Sequence, residues 1–181
     1  MRQPAGGPCA DGRKLSPCLL YTSGLDGLYL GGGYPELYAA QLAMNAAMRS
    51  SIRAALAAGL PCIAECGGFM YLTEAIGDWP MVGLLPGRCF DAGRLTRFGY
   101  VTLTARRDNL LCRAGESIPA HEFHRWDAAQ TGDAYTAAKP SGRSWPCDFA
   151  TDTLYAGYPH FHFYANPSFA VRFLDACRVR L

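Results

Sequence analysis

Charge is scarce in this sequence. Only 18% of its 181 residues are Asp, Glu, Lys or Arg, and the formal net charge is +2. So weak a balance gives no electrostatic footprint for nucleic acid or for an acidic membrane surface, and neither is expected as a partner. Lysine is nearly missing: Lys14 and Lys139 stand alone among many arginines, a pattern of coding bias. No apolar run approaches the roughly 18 residues of a membrane span. No secretory leader is evident, so a cytoplasmic location is expected. The eight cysteines include no C-x-x-C pair, which removes zinc ribbons and thioredoxin-type sites and leaves no metal site to expect. Reduced, mostly buried thiols are the expectation for a long chain in such a compartment. Neither G-x-G-x-x-G nor G-x-x-x-x-G-K-[ST] occurs, so no phosphate-cradling loop of either kind is present.

What remains is a chain that is half hydrophobic, enough to bury one ordinary domain core. Within the first 23 residues, 1–17 are rich in Gly, Pro and charge and lack periodicity. The following "CLLYTS" (18–23) matches one reading frame of a transposon end used in sequencing libraries. Residues 1–23 are expected to be a disordered or artefactual leader, with the domain proper over 24–181. From Leu25 the pattern is regular. "LDGLYLGGG" (25–33) reads as a buried strand ending in glycines. Pro35 and Glu36 open a helix that runs to Ala58 and stops at Gly59. "LPCIAE" (60–65) is a second buried strand and "CGGFMYLTEAIG" (66–77) a second helix. Strand–helix–strand–helix predicts an α/β fold with a parallel sheet. The second half reads as longer strands, over 94–105, 116–128 and 153–165, and closes with a helix over 167–181 capped by Asn166.

The corner "AECGGFMYL" holds the chemistry. A cysteine on a strand-to-helix turn is lifted above the sheet, the logic of a nucleophile elbow. Cys66 stands at a helix N-terminus, where the dipole favours an anion, and the Gly67 amide points to where an oxyanion would form. A lone Cys-Gly-Gly is more often structural. Partners shift that balance, because a thiol nucleophile needs a histidine as base and acid. The four histidines fall in two pairs, His121 and His124 in "AHEFH", His160 and His162 in "PHFHF". Strand alternation puts His160 and His162 on one face, and likewise Glu122 and His124. The loop "LGGGYPE" (30–36) is a tight turn or a source of further backbone amides for an oxyanion.

"DGLYLGGGYPELYAAQLAMNAAM", "IAECGGFMYL", "AHEFH" and "GYPHFHFYANP", in this order and spacing, resemble the C-terminal glutamine amidotransferase domain of the cobyrinic acid a,c-diamide synthase family of cobalamin biosynthesis. The resemblance runs from about Leu25 to the C-terminus. It implies a class I glutamine amidotransferase-like, flavodoxin-like fold: a mixed, mainly parallel sheet with helices on both faces. It implies that Cys66 attacks the side-chain amide of glutamine and that His160 moves the proton. Where most class I relatives carry an orienting glutamate, this chain has His162, so the resemblance implies a dyad with His162 secondary. Gly67 with Gly32 or Gly33 would hold the oxyanion. Glu122 and His124 would contact glutamine or the partner domain, although Ala120 stands where the family usually has glycine.

The family's enzymes also carry an ATP-binding synthetase domain that activates the corrin carboxylates. No P-loop lies in these residues, so ATP and Mg²⁺ are expected on that domain, with no cofactor in this chain. The alternatives are the amidotransferase domain of a nickel-sirohydrochlorin a,c-diamide synthase or of cobyric acid synthase, a cysteine peptidase-like hydrolase, or an inactive domain. Cobyric acid synthase is disfavoured, because it carries Gly-Leu-Phe where this chain has Phe161-His162-Phe163.

Overall fold

The structure, a computed structural model, describes residues 24–179; the expected leader lies outside them. The chain enters through strand β1 (Leu28–Leu30), a 3-10 turn (Pro35–Tyr38) and helices α1 (Ala39–Met44) and α2 (Ala46–Ala57). Strand β2 (Cys62–Glu65) then meets α3 (Gly67–Leu72) at Cys66. Short strands β3 (Ala75–Ile76), β4 (Trp79–Pro80) and β5 (Arg88–Asp91) precede two long ones, β6 (Arg97–Ala105) and β7 (Ser117–His124). There follow β8 (Trp126–Ala128), β9 (Tyr135–Ala138), β10 (Ser144–Cys147), β11 (Phe149–Ala150), β12 (Leu154–Gly157) and β13 (His160–Phe161). A second 3-10 turn (Phe163–Ala165) leads into α4 (Pro167–Arg178).

Three sheets result. The first has the order β1-β2-β12-β11, with β1, β2 and β12 parallel. The largest, β10-β9-β6-β7-β13, is antiparallel throughout. The third, β4-β3-β5-β8, is mixed. The fold is α/β with mixed sheets, as expected, but its parallel part is smaller than the opening of the chain suggests.

Alternation along β2 divides the core. Cys62 and Ala64 face Ile52 and Leu56 of α2 and Phe69 of α3. Ile63 faces Leu103, Ile118, Tyr155 and Phe169, from β6, β7, β12 and α4. The first sheet thus carries helices on both faces, and on one of them α4 shares the space with the antiparallel sheet. Each wholly buried aromatic such as Phe69 or Phe169 contributes about 1.5–3 kcal/mol.

The long helix predicted over 36–58 is broken at Asn45, whose backbone leaves the helical region. Its side chain accepts from Met48 N at 3.2 Å and starts α2 afresh, a local bond that competes with helix continuation. The helix predicted over 66–77 ends at Leu72. Thr73 turns extended, and its hydroxyl donates to Met70 O at 2.7 Å, closing the last turn. The strand predicted over 116–128 changes sheet between β7 and β8, and the one over 153–165 breaks at Tyr158–Pro159. Asn166 precedes α4 without capping it through its side chain; its amide donates instead to Ser117 O.

Contact distinguishes two glycines beneath the corner. A Cβ on Gly68 would lie 2.2 Å from Leu30 O, whereas one on Gly33 would meet nothing within 4 Å. Gly68→Ala is therefore expected to cost about 1–3 kcal/mol or more, and Gly33→Ala less than about 0.5 kcal/mol. Denaturant melts of the two variants check this, and equal midpoints would contradict the packing described.

Candidate active site

The site begins with a strained residue. Cys66 has φ 49° and ψ −105°, a left-handed conformation that costs a β-carbon-bearing residue about 1–3 kcal/mol. Hydrogen bonds on both sides hold it there. Cys66 N donates to Gly157 O at 2.8 Å, Gly68 N to Gly31 O at 3.1 Å, and Met70 N to Cys66 O at 3.0 Å. The turn therefore hangs between the ends of β1 and β12, and α3 starts directly from it.

His160 meets the cysteine. Its ring lies against Gly32, where an added Cβ would come 2.4 Å from Cε1, and Cys66 is the strongest influence on its proton. The other side of the ring faces Glu65, with Nδ1 3.4 Å from Oε2. Glu65 is itself fixed: Tyr29 donates its hydroxyl to Oε2 at 2.6 Å, and Phe161 N donates to Oε1 at 2.9 Å. Cys66 and then Glu65 push the imidazole up to about 10, against the opposing effect of burial. His160 therefore holds its proton at neutral pH. Cys62, four residues earlier, has no such partner, and burial pushes its thiol up to about 12.

The glycine loop completes the corner. A Cβ on Gly67 would stand 2.9 Å from Gly33 O and from Pro35 Cδ, so the loop packs directly on the first turn of α3. Among the described residues, the amides of Gly32, Gly33 and Gly67 donate to no recorded acceptor. No three His, Cys, Asp or Glu side chains among the described residues are grouped to hold a metal ion. An open cleft of about 570 Å³ borders Gly32, Gly33 and Gly67; Cys66 and His160 lie beside it without lining it.

Residues 13–168 match the model of the CobB/CobQ-like glutamine amidotransferase domain. The chain belongs to this family. It is 37% identical over 162 residues to a cobyrinate a,c-diamide synthase of Caldanaerobacter subterraneus subsp. tengcongensis, covering 85% of this chain and 36% of that protein. It is 39% identical over 162 residues to a hydrogenobyrinate a,c-diamide synthase of Thermobifida fusca, covering 84% and 33%. The amidotransferase domain thus spans about a third of the length of these curated relatives. Among solved structures, a glutamine amidotransferase superposes with a TM-score of 0.59 at 19% identity, covering 86% of this chain and 81% of the other. PurLQS from Thermotoga maritima superposes with 0.54 at 15%, covering 84% and 79%. At such identities the superpositions show the fold.

Within the amidotransferase domain, the structure brings together Cys66, His160, Gly32, Gly33 and Gly67 as expected. It separates His162. The predicted alternation ends with β13 at Phe161, and His162 is exposed at the start of a 3-10 turn, its ring near Tyr164. The place expected for it beside His160 belongs to Glu65, so the side chains form a line of three rather than a dyad. A signal for Glu65 was present in the sequence: an acid inside an otherwise apolar buried strand needs a partner. Glu122 and His124 do share a face, but it is the inner face of β7. They are 2% and 5% exposed, which excludes contact with a docked domain. The alternation that paired them gives no sign of which side is buried.

A third buried acid, Asp148, was not foreseen. Burial pushes its carboxyl up to about 8. Tyr155 donates to Oδ2 at 3.1 Å, and Oδ1 fills the space where a Cβ on Gly157 would be. Asp148 therefore backs the residue whose carbonyl holds Cys66.

The folded His160 lies above its ordinary 6.5. Its stabilising contribution is thus complete below that value and lost as pH rises toward about 10. An NMR titration of the ring is expected to show a midpoint near 10. Glu65→Gln, which removes one of the groups raising it, should move the midpoint down. A midpoint near 6.5 in both proteins would contradict the arrangement.

Proposed function

We propose that this domain hydrolyses the side-chain amide of glutamine and supplies the ammonia to a synthetase domain outside the chain. That synthetase domain would bind ATP and Mg²⁺ and amidate a carboxylated corrin such as cobyrinate or hydrogenobyrinate. The observation that carries the reading is the alignment of Cys66, His160 and Glu65 at the strained corner. The names of the relatives at 37–39% identity support the choice of substrate.

With the proton on His160, the Cys66 sulfur attacks the amide carbon and the carbonyl oxygen takes the negative charge. The Gly67 amide and that of Gly32 or Gly33 offer it hydrogen bonds that cost no reorganisation. His160 gives its proton to the leaving nitrogen, releasing ammonia and leaving a glutamyl thioester. A water then gives a proton to His160 and attacks the thioester, glutamate departs, and the sulfur is regenerated. Glu65 holds Nδ1 throughout and stabilises the imidazolium, a task for which a carboxylate is better suited than a neutral histidine.

Glutamine hydrolysis by this chain is expected to fall by roughly a hundredfold or more in Cys66→Ser and in His160→Ala, with Glu65→Gln intermediate. His162→Ala should change it less than about threefold. A glutamate-release assay checks the series. Unchanged turnover in the serine variant would remove the nucleophile, and with it the proposed reaction.

A further inference from the structure

Behind the catalytic turn lies a polar pair that the proposed reaction does not use. Glu122 and His124 point inward from β7, and their buried Oε2 and Nε2 atoms have no hydrogen-bond partner among the described residues. His124 Nδ1 lies 2.8 Å from Trp126 O. A carbonyl only accepts, so Nδ1 carries the hydrogen, and on the neutral ring Nε2 presents a lone pair. Glu122 Oε1 is 3.9 Å from that Nε2, too far for a direct hydrogen bond. Two acceptors thus face one space, at a cost of about 1–3 kcal/mol for each left unsatisfied. The space is a cavity of about 20 Å³, lined also by the acids Asp127 and Asp148 and by Arg97, Thr131, Trp145, Cys147 and Tyr158. That is room for one molecule the size of water, and its walls carry the donor Arg97 as well as the unpaired acceptors of Glu122 and His124.

We propose that this cavity is a binding site for one small molecule that donates two or more hydrogen bonds, water or ammonium, bridging Glu122 Oε2 and His124 Nε2. The bridge fixes the His124 ring, which stacks on Tyr158 at 3.8 Å and 5°. Tyr158 packs edge-on against Phe69 of α3 at 5.0 Å. It follows Gly157, whose carbonyl holds Cys66, and precedes His160 by two residues. Glu122 and His124 are therefore positioning residues for the turn that aims the histidine, acting through the bound molecule.

Crystals of this chain grown in sodium chloride and in ammonium chloride test the site. Density within hydrogen-bond distance of both atoms in either salt supports it: present in sodium chloride it is water, and present only in ammonium chloride it is ammonium. No density in either salt overturns it. The positioning role rests on the glutaminase reading, whereas the crystallographic test does not. Glu122→Leu is expected to lower kcat for glutamine by roughly tenfold with KM within about twofold, and Glu122→Gln, which keeps the shape and a polar end, to restore most of it. Equal kcat in wild type and both variants, or a loss carried by KM, would overturn the positioning role. Should Glu122→Leu not fold, a Glu122→Gln variant slower than His162→Ala would overturn it as well.

Discussion

Three backbone segments meet at Cys66 so closely that side chains are excluded from the contact. A Cβ on Gly68 would enter Leu30, one on Gly67 would enter Gly33, one on Gly32 would enter the His160 ring, and one on Gly157 would enter Asp148. The ends of β1 and β12 and the start of α3 can approach only because these positions are glycine. That approach lets Gly157 O and Gly31 O grip the turn from both sides, and the grip sustains the left-handed backbone of Cys66. The strain is held by the parallel strands beneath it, whose buried side chains supply the stability that the corner consumes.

The same approach arranges the charges. β12 pairs with β2 so that Gly157 stands opposite Glu65, and β13 follows three residues later. Glu65 therefore reaches both the ring of His160 and the amide of Phe161. Tyr29, on the neighbouring strand, closes the remaining side of the carboxylate. Burial and this bond to Glu65 both push the Tyr29 hydroxyl far above its ordinary range, so it stays a donor. A carboxylate with its acceptor sites filled stays where it is, and a histidine held by it keeps its proton facing the sulfur.

Much of this was legible in the sequence, for identifiable reasons. The Cys-Gly-Gly corner alone read as structural; it became legible as an elbow only beside the two histidine pairs. The fold class followed from apolar runs separated by helical spacing. A thiol's need for a base narrowed the search to four histidines, and the family resemblance singled out His160 among them. What failed were inferences from alternation alone. Alternation carried His162 past the point where the strand ends, and it set Glu122 and His124 on one face without saying that this face is inside. Glu65 and Asp148 were missed for a different reason. Their roles depend on partners distant in sequence, Tyr29 and His160 for one, Tyr155 and Gly157 for the other, and no local spacing encodes them. The antiparallel half was likewise hidden, because strand direction is a tertiary property.

The central claim is that the strained corner presents the sulfur of Cys66 between His160 and a cradle of backbone amides. A crystal structure of the chain after reaction with an electrophilic glutamine analogue tests it most directly. The account predicts one covalent bond, to Cys66 Sγ, with the carbonyl-derived oxygen within hydrogen-bond distance of Gly67 N and of a Gly32 or Gly33 amide. Attachment at another cysteine, or an oxygen turned away from the glycine loop, would contradict it.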